Sequence, residues 1–311
     1  MQETKNRQPI FCIGTATLDL ISLLSTYPEA NDRVLAQEMV LAGGGPAATA
    51  AVTLARLGHT VEMVTAIGDD DQGRFVLAEL AREGVGTSHI KVVKNTRTAT
   101  SQVIVNSEKA ERLIVHTPGA VVEDSLVEFE FEFSSSWIHL DNRGYEALSI
   151  TGKKESAFKN HQISLDGGNH IANLNFTNLD LYVPTVSELQ NLYGKSLVTQ
   201  DLLYAASSAG ANLIVATDGS NGSFSLNNKQ FLHAPAYEGD ILSTLGAGDV
   251  FHGALLSEII NGTELYLAMM RANLCAFMSC GALDGRSGVP FQQDLNVLFD
   301  LRQKSGGGNN D

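Results

Sequence analysis

Short, almost wholly apolar runs punctuate this chain at residues 9–14 (PIFCIG), 61–67, 137–141, 163–166, 181–183 and 213–217. Such runs, bounded by turn residues, predict strands buried on both faces. Between and after them lie segments of helical character. Residues 46–57 (PAATAAVTLARL) are Ala-rich, with Pro46 suited to a first helical turn and Gly58 to a stop. Residues 71–82 predict a helix ending at Gly84, and residues 246–260, 263–280 and 292–303 predict three long helices. The alternation of strand and helix favours right-handed crossovers and a mainly parallel sheet between helical layers. Residues 21–24, 34–41, 101–105 and 112–116 break that rhythm. The last two read as a hairpin whose turn carries Asn106, Ser107 and Glu108. Together they predict a small β-rich flap, made from two separated segments, over the α/β cleft. Residues 305–311 (SGGGNND) are expected to be disordered, and no repeat of fixed period is visible.

Composition narrows the function. The chain has 311 residues, 43% hydrophobic and 18% charged, an ordinary balance for a folded domain. Its formal net charge of −14 argues against a general electrostatic grip on nucleic acid or an acidic membrane. An anionic ligand therefore needs a local site of backbone amides and a few cations. Cys12, Cys275 and Cys280 form a sparse, odd set that suggests reduced thiols in the cytosol. The polar start MQETKNRQP offers no apolar region for a signal peptide, and no apolar run reaches the length that spans a bilayer. The expectation is a cytoplasmic protein.

The strongest chemical signal is residues 243–251, STLGAGDVF, at the start of a long helix. Gly246, Ala247 and Gly248 are small enough for a ligand to approach the backbone. Amides at a helix N-terminus, helped by the macrodipole, favour negative charge. Asp249 follows in the first turn. Amides that hold charge on a transferred phosphoryl group, beside a carboxylate that accepts a hydroxyl proton, suit phosphoryl transfer to an alcohol. From spacing alone, a plain Gly-rich cap with Asp249 as a dipole partner fits equally well. There is no G-x-x-x-x-G-K-[ST] loop, and GTATLD after the first strand lacks the glycines of a dinucleotide site.

GAGDVF resembles the C-terminal signature of the ribokinase-like, phosphofructokinase-B type carbohydrate kinases, and the likeness runs from Asp19 to Pro290. The resemblance implies a three-layer α/β/α sandwich with a mainly parallel central sheet. It implies a kinase domain over residues 1–304, with a small β-sheet lid formed by about residues 17–42 and 98–118. Residues 43–58 (GGGPAATAAVTLARLG) resemble the family's N-terminal signature, where Gly44 and Gly45 would offer amides to sugar hydroxyls. Thr49 stands where many members carry asparagine. Asp19, in GTATLDL, matches an Asp that binds sugar hydroxyls. On the nucleotide side, Thr217, Gly219 and Gly222 (TDGSNG) match a loop that lies along ATP, and Asn273 falls on a helix near the expected adenine pocket. Glu188 matches the acid of an N-x-x-E motif, thought to act on Mg²⁺ through water. The resemblance thus implies ATP and Mg²⁺, and admits a monovalent cation.

Two departures stand out. Thr185 replaces the asparagine of N-x-x-E, and Ser243 replaces the acid that usually opens D-T-x-G-A-G-D. Both weaken the expected handling of the metal and motivate an alternative, a catalytically weak sugar-binding or regulatory protein. Within the family, WIHLDNR and TLGAGD resemble ketohexokinase. GGGPAATAA, GDDD, GAGDVFHGAL and GRSGVP resemble sulfofructose kinase over more of the chain. The expected acceptor is a ketohexose-type sugar, with Arg33, His116 and Arg143 facing it and the two arginines suited to an anionic group. A nucleoside is the alternative acceptor, although few aromatic residues lie near Asp19 or the lid. A homodimer through the lid is expected.

Overall fold

The computed structural model describes residues 8–131, 136–227 and 229–306. The start read as free of a signal peptide lies, through residue 7, outside them. In chain order the elements are β1 (Ile10–Ile13), β2 (Thr17–Leu24), β3 (Glu38–Gly44), α1 (Pro46–Arg56), β4 (Val61–Gly68), α2 (Asp71–Arg82), β5 (Ile90–Val93), β6 (Thr100–Asn106) and β7 (Arg112–Thr117). Then come α3 (Val122–Leu126), β8 (Trp137–Leu140), α4 (Asn142–Ile150), α5 (Lys154–Asn160), β9 (Gln162–Gly167), β10 (Leu181–Pro184), α6 (Val186–Tyr193) and α7 (Thr199–Ser208). The chain continues with β11 (Leu213–Thr217), β12 (Ser223–Asn227), β13 (Gln230–Ala234), α8 (Ala247–Ile260), α9 (Leu265–Ser279) and α10 (Gln292–Gly306).

Nine strands form the main sheet in the order β13-β12-β11-β10-β9-β8-β1-β4-β5. The pairs from β11 through β5 are parallel, and β12 and β13 add an antiparallel edge. The apolar runs are explained by burial on both faces. Ile10 and Cys12 pack into the layer with α1, α2, α8, α9 and α10, whereas Phe11 and Ile13 face the layer with α3 to α7. A second, four-stranded sheet has the order β3-β2-β6-β7. Its inner face packs Ile21, Leu23, Ala42, Val103 and Val105 against Leu283.

The expected sandwich with a small extra sheet is what the chain forms, with local corrections. The second flap strand begins at Glu38 rather than residue 34, because its register with β2 starts at Glu38↔Leu23. Residues 34–37 are an outlying loop in which Leu35 is 94% exposed. Strands β5 and β13 carry a weaker apolar signal because they are the sheet's edges, and β12 does because it buries Ser223 and Ser225. Gly246 precedes α8 in the left-handed conformation (φ 72°) instead of opening the helix. The third long helix continues to Gly306, so Ser305 and Gly306, expected to be disordered, are helical; residues 307–311 lie outside the described residues. No helix among the described residues is long and apolar enough to cross a membrane.

Candidate active site

A cavity of about 430 Å³ lies where the carboxyl ends of β1, β8 and β9 meet the small sheet. Thr15, Asn142 and Asn169, each just past one of those strands, line it. That is where parallel sheets expose loops to ligands.

One wall is built by the small sheet and the start of α1. Asp19 sits in the middle of β2, paired with Ala42 on one side and Ser101 on the other. It is buried, and Thr17 Oγ1 donates to its Oδ1 at 2.8 Å. Burial raises its pKa; Thr17, Ser101, Arg286 and His116 oppose that rise. Gly44 ends β3 directly beside it. A Cβ on Gly44 would overlap Asp19 Oδ2, so the glycine is what leaves the carboxylate room. Gly45 caps α1 at φ 93°, and Thr49 lines the cavity one turn on.

The opposite wall is the start of α8. Gly246, Asp249 and the facing Gly285 line the cavity. As first-turn residues, Ala247, Gly248 and Asp249 have no helical carbonyl one turn earlier to accept their N–H groups. A side chain on Gly248 would meet nothing within 4 Å, and neither Ala247 nor Gly248 is among the residues lining the cavity. The amide of Ala247 leans back to the Thr244 carbonyl at 3.4 Å, so it is less free than its neighbours. Ser243 is buried, and its Oγ accepts from the Leu245 N–H at 3.2 Å. It holds this turn where an acid was expected.

Asp249 does not stand alone. Burial is the first cause pushing its pKa well above the usual carboxylate range, and the nearby Asp166 and Asp141 push it further. Asp141 is tied down, accepting from the N–H of Thr15 at 2.7 Å and of Gly144 at 2.8 Å. Asp166 accepts from the Gly168 N–H at 2.7 Å, and burial lifts it to about 6. Beneath this acidic group, His252 on α8 shares a 2.6 Å hydrogen bond with Ser164 and meets His139 edge to face at 4.5 Å. Burial lowers the pKa of both rings, that of His139 to about 3, so both are neutral near pH 7. Of the aspartates in this region, Asp249 and Asp19 line the cavity.

The family signature model for "pfkB family carbohydrate kinase" matches residues 7–291. The chain belongs to the pfkB family of carbohydrate kinases. It is therefore an ATP-dependent kinase of that class. A deoxyribokinase of Salmonella typhi is 25% identical over 94% of this chain and 99% of its own length. A solved putative ribokinase from Agrobacterium tumefaciens superposes with a TM-score of 0.80 at 22% identity, covering 96% of this chain and 99% of that one. A ribokinase of Arabidopsis thaliana, solved with ribose and ATP, gives 0.78 at 18% identity, covering 94% and 98%.

Not every expected site residue of this kinase reaches the cavity. His116, on β7, lines it, 3.3 Å from Ser101 Oγ. Arg33 lies exposed in the loop between β2 and β3, outside the cavity lining. Arg143 is also outside: as the second residue of α4 it turns along the helix to pair with Glu146 at 2.7 Å. The cation that does reach the cavity is Arg112, at the start of β7, whose Nη1 donates to Thr244 Oγ1 at 2.9 Å. Its position just after the hairpin turn, one residue before an apolar run, was the available signal.

On the expected nucleotide side, Thr185 and Thr217 form a bridge between the ends of β10 and β11. Gly219 (φ 52°) and Gly222 (φ 86°) shape the turn into β12, where a Cβ on Gly222 would overlap the Ala234 carbonyl. Thr185 Oγ1 is engaged as the cap of α6, accepting from the Glu188 N–H at 3.1 Å. The amide of Asn273 donates to the carbonyls of Ala234 and Pro235 at 3.0 and 3.1 Å, so it pins the end of β13. Glu188 is buried and accepts from Asn191 at 3.1 Å; His170 lies 2.9 Å from its other oxygen. Among the described residues no group of three or more His, Cys, Asp or Glu stands ready to hold a metal ion. The buried carboxylate of Glu188 would fit a place outside the water shell of a hard cation.

Proposed function

We propose that this kinase transfers the γ-phosphoryl group of ATP to a hydroxymethyl group of a ketohexose-type sugar. The observation that carries the reading is the pairing across one cavity of Asp249, beside the α8 amides, with Asp19, beside Gly44. In this reading Asp19 and the Gly44–Gly45 turn orient the sugar through its hydroxyls. Asp249 accepts the proton of the attacking hydroxyl, and the amides of Gly246 and Gly248 face the charge on the migrating group. Mg²⁺, when bound with ATP, would neutralise phosphate charge, and Glu188 would hold its water shell. No Phe, Tyr or Trp lines the cavity among the described residues, which favours a sugar over a nucleoside base.

Arg112 and His116 support the narrower reading that the sugar carries an anionic group such as a sulfonate. They replace Arg33 and Arg143 in that role, since only they line the cavity. Measured ADP release across ketoses, aldoses, sulfosugars and nucleosides tests the class. Turnover confined to nucleosides, or sugar-induced thermal stabilisation without ADP release, would overturn it. Arg112→Ala is expected to raise KM for an anionic ketose by about tenfold to a hundredfold, and for fructose by about twofold or less. Equal losses on both would remove the anionic reading.

The outer face of the small sheet exposes Met39, Leu41, Leu113 and Val115. Uncovered apolar strands invite pairing, and a second copy of the chain is the proposed occupant. Sedimentation at micromolar concentration is expected to give a dimer, with Leu41→Lys shifting it to monomer.

A further inference from the structure

We propose that Arg286 is the positioning residue for the acceptor, clamping the Gly44 turn and supplying the buried positive charge that Asp19 and Asp249 share. This rests on the reading of that turn as the sugar subsite. Arg286 is 2% exposed, and its guanidinium reaches three separate elements. Nη2 donates to the Gly44 carbonyl at 2.7 Å, Nε to Thr49 Oγ1 at 3.3 Å, and Nη1 to Glu79 Oε2 on α2 at 3.1 Å. The pair with Glu79 packs directly on the backbone, because a Cβ on Gly43 would overlap both partners. A planar fork can serve three directions at once; a lysine ammonium in the same place cannot.

The loop that carries Arg286 is itself fixed from two sides. Asp284 Oδ1 accepts from the Arg286 N–H at 2.8 Å. Arg56, paired with Glu83, donates to the carbonyls of Arg286 at 2.8 Å and Val289 at 2.7 Å. The same loop also touches the phosphate side: a Cβ on Gly246 would lie 3.0 Å from Gly285 Cα. One loop therefore registers the acceptor turn against the α8 turn.

The charge argument is independent of the hydrogen bonds. Asp19 is faced by Thr17, Ser101, His116 and Arg286, and Asp249 by Asp166, Asp141, Arg112 and Arg286. Arg286 in turn is faced by Glu79, Asp19, Asp284 and Glu83. Arg112 and His116 are exposed to solvent screening. Arg286 is the buried cation common to both carboxylates, where a charge is felt most strongly.

Two variants separate clamp from charge: Arg286→Lys keeps the charge and loses the fork, while Glu79→Leu/Arg286→Met removes the pair and keeps the volume apolar. With the best acceptor from the panel, Arg286→Lys is expected to raise sugar KM about 10- to 100-fold, with ATP KM within about twofold and the acid limb of kcat/KM in place. The double variant is expected to raise sugar KM similarly and to move that limb up by about one pH unit, since Arg286 faces both carboxylates and Glu79 faces neither, so losing the pair makes them harder to ionise. Folded variants with wild-type sugar KM and an unmoved limb would overturn the proposal. If the double variant does not fold, Arg286→Lys decides alone, and an unchanged sugar KM there is fatal. Wild-type protein inactive on every acceptor would instead bring down the proposed function, and this inference with it.

Discussion

Replacing Asp249 by Asn is expected to lower kcat by about 10²- to 10⁴-fold while making the folded protein more heat-resistant at neutral pH. The first effect follows from removing the proposed proton acceptor and leaving the amides of the α8 turn in place, so ATP should still bind. The second follows from where the carboxylate sits. Burial, with Asp166 and Asp141 nearby, raises the pKa of Asp249 well above its ordinary value. The folded state therefore prefers the protonated acid. The resulting stabilisation is complete below the unfolded-state pKa and is lost as pH rises through the higher folded value. Above the unfolded-state pKa the wild type carries the cost of placing this acid beside other carboxylates, and the neutral amide does not. The melting temperature of the variant should exceed wild type by about 2 °C or more at pH 8, with the gap closing as pH is lowered. A variant that is less stable at pH 8 than wild type would contradict the electrostatic account. In the wild type the same shift predicts an acid limb in kcat/KM above the usual carboxylate range.

Gly45→Ala is expected to cost about 3 kcal/mol of stability and to weaken sugar binding. Two causes add. The residue caps α1 at φ 93°, a conformation L side chains rarely adopt, and a Cβ there would overlap the carbonyl oxygen of Thr15. Neither the carbonyl nor the start of α1 can yield without moving the cavity wall. Gly58→Ala separates the causes, since Gly58 has φ 85° but a side chain there would meet nothing within 4 Å. It should cost about 1 kcal/mol. Thermal unfolding of both variants, with sugar KM for each, checks the difference; equal costs would mean that the overlap with Thr15 is relieved cheaply.

What could be read along the chain depended on how local the cause was. Helices α1 and α2 ended where Gly58 and Gly84 stop them, because capping and propensity act within a few residues. The core strands were legible since burial on both faces leaves apolar runs. The Gly246–Asp249 turn was visible for the same reason: close backbone approach demands small residues side by side. Arg112 and Arg286 were not singled out as site residues. Each acts through partners far away in sequence, Thr244 for one and Gly44, Thr49 and Glu79 for the other. A lone arginine carries no mark of which distant backbone it will meet. Arg143 failed in the opposite way. Its place after a strand end suggested the cavity, but Glu146 one turn along the helix offered a nearer partner.

Asp249 stands on α8, wedged in the main body among α1 and α9, whereas Asp19, Ser101, Arg112 and His116 belong to the separate four-stranded sheet. On the proposed reading, chemistry and choice of acceptor thus come from different pieces of the molecule. Drift within the smaller piece could retune which alcohol is accepted without disturbing the machinery that phosphorylates it, a division of labour that lets one scaffold diversify.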